Sequence, residues 1–133
     1  MVAERFPPDD PREWLNRARS NLLRARMASA GMYLEDACFD AQQAAEKAIK
    51  GVMIHRSIEF PYTHDLGRLL TVLERAGDEI PSAVKQAERL TRFAHADRYP
   101  GTSEPVTAEQ YPEYLMIAEA VVRWAEDRVG YRP

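Results

Sequence analysis

The densest group of residues able to act on a phosphate lies between positions 88 and 99. It holds three arginines, a histidine and a tyrosine: Arg89, Arg92, His95, Arg98 and Tyr99. Arginine stabilises negative charge through planar hydrogen bonds, and histidine exchanges protons near neutral pH. This combination predicts a site that holds a phosphodiester and moves its protons. The alternative is a solvated helix end, where His95 and Arg98 interact with the last backbone carbonyls.

Signatures of other chemistries do not occur in the sequence. The histidines His55, His64 and His95 fall on different segments, and none has a histidine or cysteine at metal-ligand spacing. We therefore expect no metal site and no cofactor. The sequence also has no glycine-rich phosphate loop and no Gly-x-Ser-x-Gly elbow, which removes the commonest nucleotidase and hydrolase motifs.

Length and charge narrow the class of protein. With 133 residues, 45% of them hydrophobic, the chain is long enough for one domain with a core. The formal net charge of −3 argues against nucleic-acid coating by bulk electrostatics. The basic residues are 15 arginines and three lysines, an imbalance explained by phosphate recognition or by codon bias or a thermophilic source. No apolar run is long enough to span a membrane and the first residues lack a signal-peptide core, so we expect a cytoplasmic protein.

The central positioning element is a helix that contains residues 37–50. This stretch has five alanines and neither glycine nor proline, which favours a helix. Small residues such as Cys38 and Ala41 form a stripe that lets a neighbouring helix approach. Gln42 and Glu46 lie beside that stripe, so they must find hydrogen-bond partners inside a bundle or face a second subunit.

Apolar periodicity without strand-like alternation predicts an all-α fold, an up-and-down antiparallel bundle of about five helices. Residues 1–8 form an extended or frayed leader, and residues 9–130 form a single domain. Capping residues and helix breakers give the expected limits: Pro11, capped by Asp9 or Asp10, to Ser29 or Gly31; Leu34 to Arg56; Thr63 as N-cap to Gly77; Pro81 to before Pro100; and a last helix that follows a capping box at Thr107–Gln110 and starts properly at Pro112.

Side-chain positions follow from these helices. The fourth helix buries an apolar row at spacings of three and four residues: Val84, Ala87, Leu90 and Ala94. Lys47 and Lys50 are expected to point towards solvent, and Cys38 to be a small buried residue. His64, in the first turn of the third helix, is expected to cap that helix or to pack against the preceding loop.

Four motifs resemble the HEPN (higher eukaryotes and prokaryotes nucleotide-binding) domain family and occur in the family's order. They are the helix Cys38–Lys50, Phe60-Pro61, Thr63-His64-Asp65-Leu66 and Arg98-Tyr99-Pro100. The resemblance implies a helical bundle that is usually dimeric. Many members are metal-independent endoribonucleases, or toxins paired with a minimal nucleotidyltransferase. Their catalytic signature is an arginine, four to six residues and a histidine, which Arg89 and His95 match with five residues between them.

For function, the resemblance implies a homodimeric protein that binds a nucleotide or RNA and pairs with a minimal nucleotidyltransferase. Arg92, Arg98 and Tyr99 are then the binding residues. The alternative is a metal-independent, toxin-like endoribonuclease that uses Arg89 and His95, and the third possibility is a structural dimerisation module. On a continuous α-helix Arg89 and His95 would point about 120° apart. Members with Arg-Tyr-Pro often have a degenerate ribonuclease motif, so the sequence leaves catalysis open.

Overall fold

The computed structural model describes residues 3–94, 100–101 and 104–133 of the chain. Within these ranges the regular structure is entirely helical, and the predicted all-α bundle of about five helices is confirmed. The helices are α1 (Pro11–Ala25), α2 (Leu34–His55), α3 (Leu66–Arg75), α4 (Ser82–Lys85, continuing as a 3₁₀ helix, Gln86–Ala94) and α5 (Gln110–Val129). None of these helices combines the length and the apolar character needed to cross a bilayer.

Helix α2 is the centre of the bundle and packs against the other four helices. Its inward face consists of small side chains at most 2% exposed: Cys38, Ala41, Ala44, Ala45 and Ala48. Gly51 extends this face, since a Cβ atom there would lie 3.3 Å from Cβ of Trp14 in α1. The close approach of a neighbouring helix, which the small residues predicted, is therefore present between α1 and α2.

Helix α1 begins as the sequence predicted but ends earlier. Asp10 is the N-cap, its carboxylate accepting a hydrogen bond from the amide of Arg12, and Pro11 occupies the first turn. The predicted end at Ser29 or Gly31 is wrong, because the helix stops at Ala25. The Tyr111 hydroxyl of α5 donates to the carbonyl of Ala25, so a last-turn acceptor is satisfied without another helical turn.

Residues 3–7 have no regular secondary structure, Pro8 begins a turn, and this segment lies against α1. The amide of Phe6 donates to Glu13 Oε1 at 2.9 Å, and the indole N–H of Trp14 donates to the carbonyl of Pro8 at 2.7 Å. The Phe6 ring also packs edge-on against Tyr131, beyond the end of α5. These contacts tie both ends of the described chain to the bundle.

The start of α3 differs from the predicted one by two residues. Asp65, not Thr63, is the N-cap, and its carboxylate accepts from the amide of Arg68 at 3.2 Å. Thr63 instead accepts from the amide of Asp65 through its hydroxyl at 3.1 Å. The predicted end is confirmed, because Gly77 follows the helix with a φ of +100°, a conformation that glycine adopts without strain.

Helix α4 is mostly a 3₁₀ helix, which the predicted α-helical spacing did not indicate. Its fully or almost fully buried side chains recur at a strict spacing of three: Val84, Ala87, Leu90 and Phe93. A helix with three residues per turn places all four on one line, whereas an α-helix would spread them around the axis. The predicted row is buried, Ala94 included, but the predicted spacing missed Phe93, which is the large buried anchor.

Helix α5 starts at Gln110, so the predicted start at Pro112 is wrong. The capping box is present in full: the amide of Thr107 donates to Gln110 Oε1 at 3.0 Å, and the amide of Gln110 donates to Thr107 Oγ1 at 3.1 Å. Pro112 is the third residue of the helix, where its missing amide would have had no partner within the helix. The helix consequently needs no kink.

Many of the arginines form ion pairs within the fold. The buried carboxylate of Asp78 bonds to both Arg56 and Arg128, and that of Glu126 bonds to Arg19. These pairs join the end of α2 and the side of α1 to α5. Part of the arginine excess is therefore structural, which limits the arginines available for a ligand.

Candidate functional site

Arg89 and Arg92 are the two candidate site residues that the structure describes, and both lie beside Tyr114. They are three residues apart on the 3₁₀ part of α4 and so share one face. The guanidinium of Arg89 lies 5.6 Å from the centre of the Tyr114 ring, and Nη1 of Arg92 donates to the Tyr114 hydroxyl at 3.3 Å. We call Arg89, Arg92, Glu113 and Tyr114 the α4–α5 corner.

Tyr114 organises this corner, and the sequence analysis did not select it. Its side chain is 6% exposed, and its ring meets Phe93 edge-on with centroids 4.9 Å apart. The available signal was its position three residues after Tyr111 on the amphipathic α5, which could have placed it on the inner face. Packing of Phe93 against Tyr114 fixes the two arginines relative to α5.

The two arginines differ in how firmly they are held. Arg92 also donates to the backbone carbonyl of Glu104 at 2.9 Å and so fastens the segment before α5. Arg89 is half exposed and lies 3.3 Å from Glu113, whose side chain is 62% exposed. Exposed ion pairs of this kind contribute about 0–1 kcal/mol, so a ligand anion can replace Glu113 at small cost.

Three of the predicted site residues, His95, Arg98 and Tyr99, lie outside the described residues. The structure therefore brings together Arg89 and Arg92 of the predicted set and adds Tyr114. Chemically, the corner offers guanidinium N–H donors held in place by a buried aromatic ring, an arrangement that suits a phosphate. Across the described ranges, no group of three or more His, Cys, Asp or Glu side chains is placed to hold a metal ion.

Gln42 and Glu46 find their hydrogen-bond partners inside the bundle of a single chain. Gln42 is fully buried and its amide donates to Glu46 Oε1 at 2.8 Å. Lys50 donates to Glu46 Oε2 at 3.0 Å, and His64 Nδ1 lies 3.0 Å from Glu46 Oε1. We call these four residues the Glu46 row. Their hydrogen bonds are made within one chain, between α2 and the segment before α3.

Charges in the Glu46 row are balanced although they are buried. Burial alone would raise the pKa of Glu46, but hydrogen bonds from Gln42 and Lys50 and the charge of Lys50 hold that pKa below its ordinary value. The expectation that Lys50 points towards solvent is wrong, since this residue is 8% exposed and pairs with Glu46. The carboxylate and the ammonium are therefore mutually stabilised in the folded chain.

Comparisons with known proteins agree with this fold. A family model described as "HEPN domain" matches residues 11–128. Among solved structures, the archaeal HEPN homologue ST0689 is 29% identical with a TM-score of 0.73, and the alignment covers 90% of this chain and 98% of that chain. TT1696 from Thermus thermophilus is 31% identical with a TM-score of 0.72, over 89% of this chain and 97% of that chain. A search of curated proteins finds no match.

Proposed function

The chain belongs to the HEPN domain family, and from that premise we propose that it binds RNA or a nucleotide through the α4–α5 corner. The observation that carries the proposal is the pairing of Arg89 and Arg92 on one face of α4, both against Tyr114. Guanidinium groups recognise phosphate oxygens by paired hydrogen bonds, and the buried Tyr114 ring keeps the two arginines side by side. Arg98 and Tyr99 are proposed to complete this binding site.

Binding is tested by fluorescence anisotropy with a short single-stranded RNA at several salt concentrations. Arg89→Ala is the primary variant, because Arg89 is half exposed and its removal leaves the Arg92–Glu104 hydrogen bond in place. We expect weaker binding for every RNA sequence and a salt slope that falls by about 0.7 for each phosphate no longer neutralised. Arg68→Ala, an exposed arginine of α3, is the matched control. Equal weakening by both variants would show bulk attraction and contradict a site at the corner.

A second candidate function, metal-independent RNA cleavage, is favoured by the winding of α4. The separation of about 120° between Arg89 and His95 holds for an α-helix. Residues 86–94 instead have three residues per turn, and positions 89, 92 and 95 continue a spacing of three in the sequence. We propose that neutral His95 accepts the 2′-hydroxyl proton as this oxygen attacks phosphorus. The histidine then returns the proton to the departing 5′-oxygen, leaving a cyclic phosphate, while Arg89 and Arg92 stabilise the charged phosphorane.

Cleavage is tested with RNA in the presence of a chelator, comparing the natural chain with His95→Ala. Products with 2′,3′-cyclic phosphate ends that disappear in the variant support catalysis. Retained RNA binding in His95→Ala shows that the loss concerns chemistry rather than affinity. Identical cleavage by both proteins removes His95 from the mechanism, and absence of cleavage by either leaves the binding function standing alone.

We further propose that the protein acts as a homodimer and docks a minimal nucleotidyltransferase. Large apolar side chains on the surface support a protein contact, because Met27 is 68% exposed, Met116 67% and Tyr33 78%. Light scattering coupled to size-exclusion chromatography measures the mass directly. A mass of one chain at micromolar concentration contradicts the dimer, and failure to co-purify with a co-expressed nucleotidyltransferase contradicts that partnership.

A further inference from the structure

A second group of cations lies between α1 and α2, away from the residues of the α4–α5 corner. Arg17, Asn21 and Arg24 are spaced by four and three residues on α1 and therefore lie on one face. Lys47 of α2 reaches this face, where its ammonium donates to Asn21 Oδ1 at 2.7 Å. Two arginines and a lysine thus share this face with one buried amide.

Lys47 stands out because, among the described residues, its ammonium has no direct ion pair with a carboxylate. The residue is half-buried, yet in the described part of the chain its ammonium has a neutral amide oxygen as its hydrogen-bond partner and no carboxylate within 4 Å. An ammonium carries three donors, and burying a charge without an opposite charge is unfavourable. Burial of the ammonium and the nearby charge of Arg17 lower the pKa of Lys47.

The acidic groups facing Lys47 are engaged elsewhere. Asp40 accepts from Asn21 Nδ2 at 3.0 Å, and Glu46 is bound within the Glu46 row. Asn21 therefore joins Asp40 to Lys47 as a neutral bridge and holds its carbonyl oxygen towards the ammonium. The charges of Asp40 and Glu46 still act on Lys47 and offset part of the cost of its burial, but within the described residues its ammonium bonds directly to the neutral Asn21 amide.

The two arginines retain donors for a ligand. Arg17 uses Nε for Glu13, and Arg24 lies 3.6 Å from Asp40 through Nε, while their side chains are 57% and 68% exposed. Within the described ranges, neither arginine has a hydrogen bond from its terminal Nη groups. Two exposed guanidinium groups on the face that also holds the Lys47 ammonium form a donor set suited to tetrahedral oxyanions.

We propose that Arg17, Arg24 and Lys47, bridged by Asn21, form a phosphate-binding site on the α1–α2 face. The ligand is a phosphate group, carried either by an RNA backbone or by a free nucleotide. A bound phosphate places a negative charge in direct contact with Lys47 and accepts hydrogen bonds from the exposed guanidinium ends. The site shares no residue with the α4–α5 corner and does not depend on RNA binding there.

The probe for the first experiment is inorganic phosphate, followed through the side-chain NMR signals of lysine. The chain has three lysines, Lys47, Lys50 and Lys85, so single substitutions assign every signal. We expect the Lys47 signals to shift saturably and the pKa of Lys47 to rise, because a nearby anion favours the charged form. Lys85, which pairs with Glu74 on the surface, is the internal control and should not saturate.

Affinity measured by calorimetry gives the second readout. Lys47→Met keeps the aliphatic stem, and we expect it to weaken phosphate binding by about tenfold or more, whereas Lys85→Met changes it by less than about twofold. Arg24→Gln, at an exposed position, provides a variant that preserves the fold and should weaken binding about threefold to tenfold. Unchanged affinity in Lys47→Met or Lys47 signals that do not respond would overturn the proposal.

The two sources of phosphate are separated by repeating the titration with a short single-stranded RNA and with a nucleoside monophosphate. A Lys47 response to RNA that Lys47→Met abolishes assigns a backbone phosphate. A response to the mononucleotide but not to RNA assigns a free nucleotide, and both results support the site. In Arg92→Ala the Lys47 response to inorganic phosphate should persist, so failure of the α4–α5 corner is distinguishable from failure here.

Discussion

The Glu46 row and the α4–α5 corner both place a glutamate beside a cation, but in opposite surroundings. Glu46 is 6% exposed and is bonded by Gln42 and Lys50, with His64 beside it. The side chain of Glu113 is 62% exposed and meets Arg89 at 3.3 Å. Charges buried together are costly to separate, whereas exposed charges exchange partners easily. The first arrangement therefore supports the fold, and the second leaves an arginine able to meet a ligand.

The largest expected effect is on stability, from breaking the Glu46 row. Glu46→Ala leaves the Lys50 ammonium buried without its carboxylate, and removing one partner of a buried pair costs about 3–5 kcal/mol. We expect the free energy of unfolding to fall by about that amount in urea denaturation. The double variant Glu46→Leu with Lys50→Met should recover much of this loss, because it removes both charges together. A loss below about 1 kcal/mol in the single variant would contradict the buried pair.

A pH series provides a smaller and more specific test of the same carboxylate. Because the folded pKa of Glu46 lies below its unfolded value, its stabilisation is complete above the unfolded pKa of about 4.3 and is lost as the pH falls through the folded pKa. We expect the free energy of unfolding of the natural chain to decline below about pH 4.5 more steeply than that of Glu46→Gln. The measurement is urea denaturation between about pH 3 and pH 7. Parallel curves would mean that Glu46 does not contribute to acid sensitivity.

The same contrast between buried and exposed charge separates what the sequence predicted from what it did not. The alanine-rich α2 and the Thr107–Gln110 capping box were predictable, because propensity and capping act between near neighbours. The burial of Lys50 was not, since it involves the segment after α2, whose Phe60 ring centre lies 5.1 Å from the Lys50 ammonium. Helix position alone cannot reveal which polar face another segment will cover.

The candidate site was predictable in its residue types but not in its geometry. Arg89 and Arg92 were selected for their chemistry. Their spacing of three places them on one side of any helix, and the 3₁₀ winding of α4 aligns them more closely. The signal for that winding was present in the three-residue recurrence that includes Leu90 and Phe93. Tyr114 became a site residue only through its long-range contacts with α4, which local sequence cannot specify.

The smallest expected effect on stability comes from Glu113→Ala, which removes the exposed carboxylate of the α4–α5 corner. This substitution should change the free energy of unfolding by less than about 0.5 kcal/mol, because an exposed ion pair contributes little. RNA affinity should instead rise about twofold to threefold, since Arg89 loses a competing carboxylate. Glu79→Ala, at an exposed glutamate before α4, has the same change in net charge and serves as the control. An affinity gain for Glu113→Ala that exceeds the control assigns the effect to Arg89, whereas equal gains reduce it to net charge and remove Glu113 from the site.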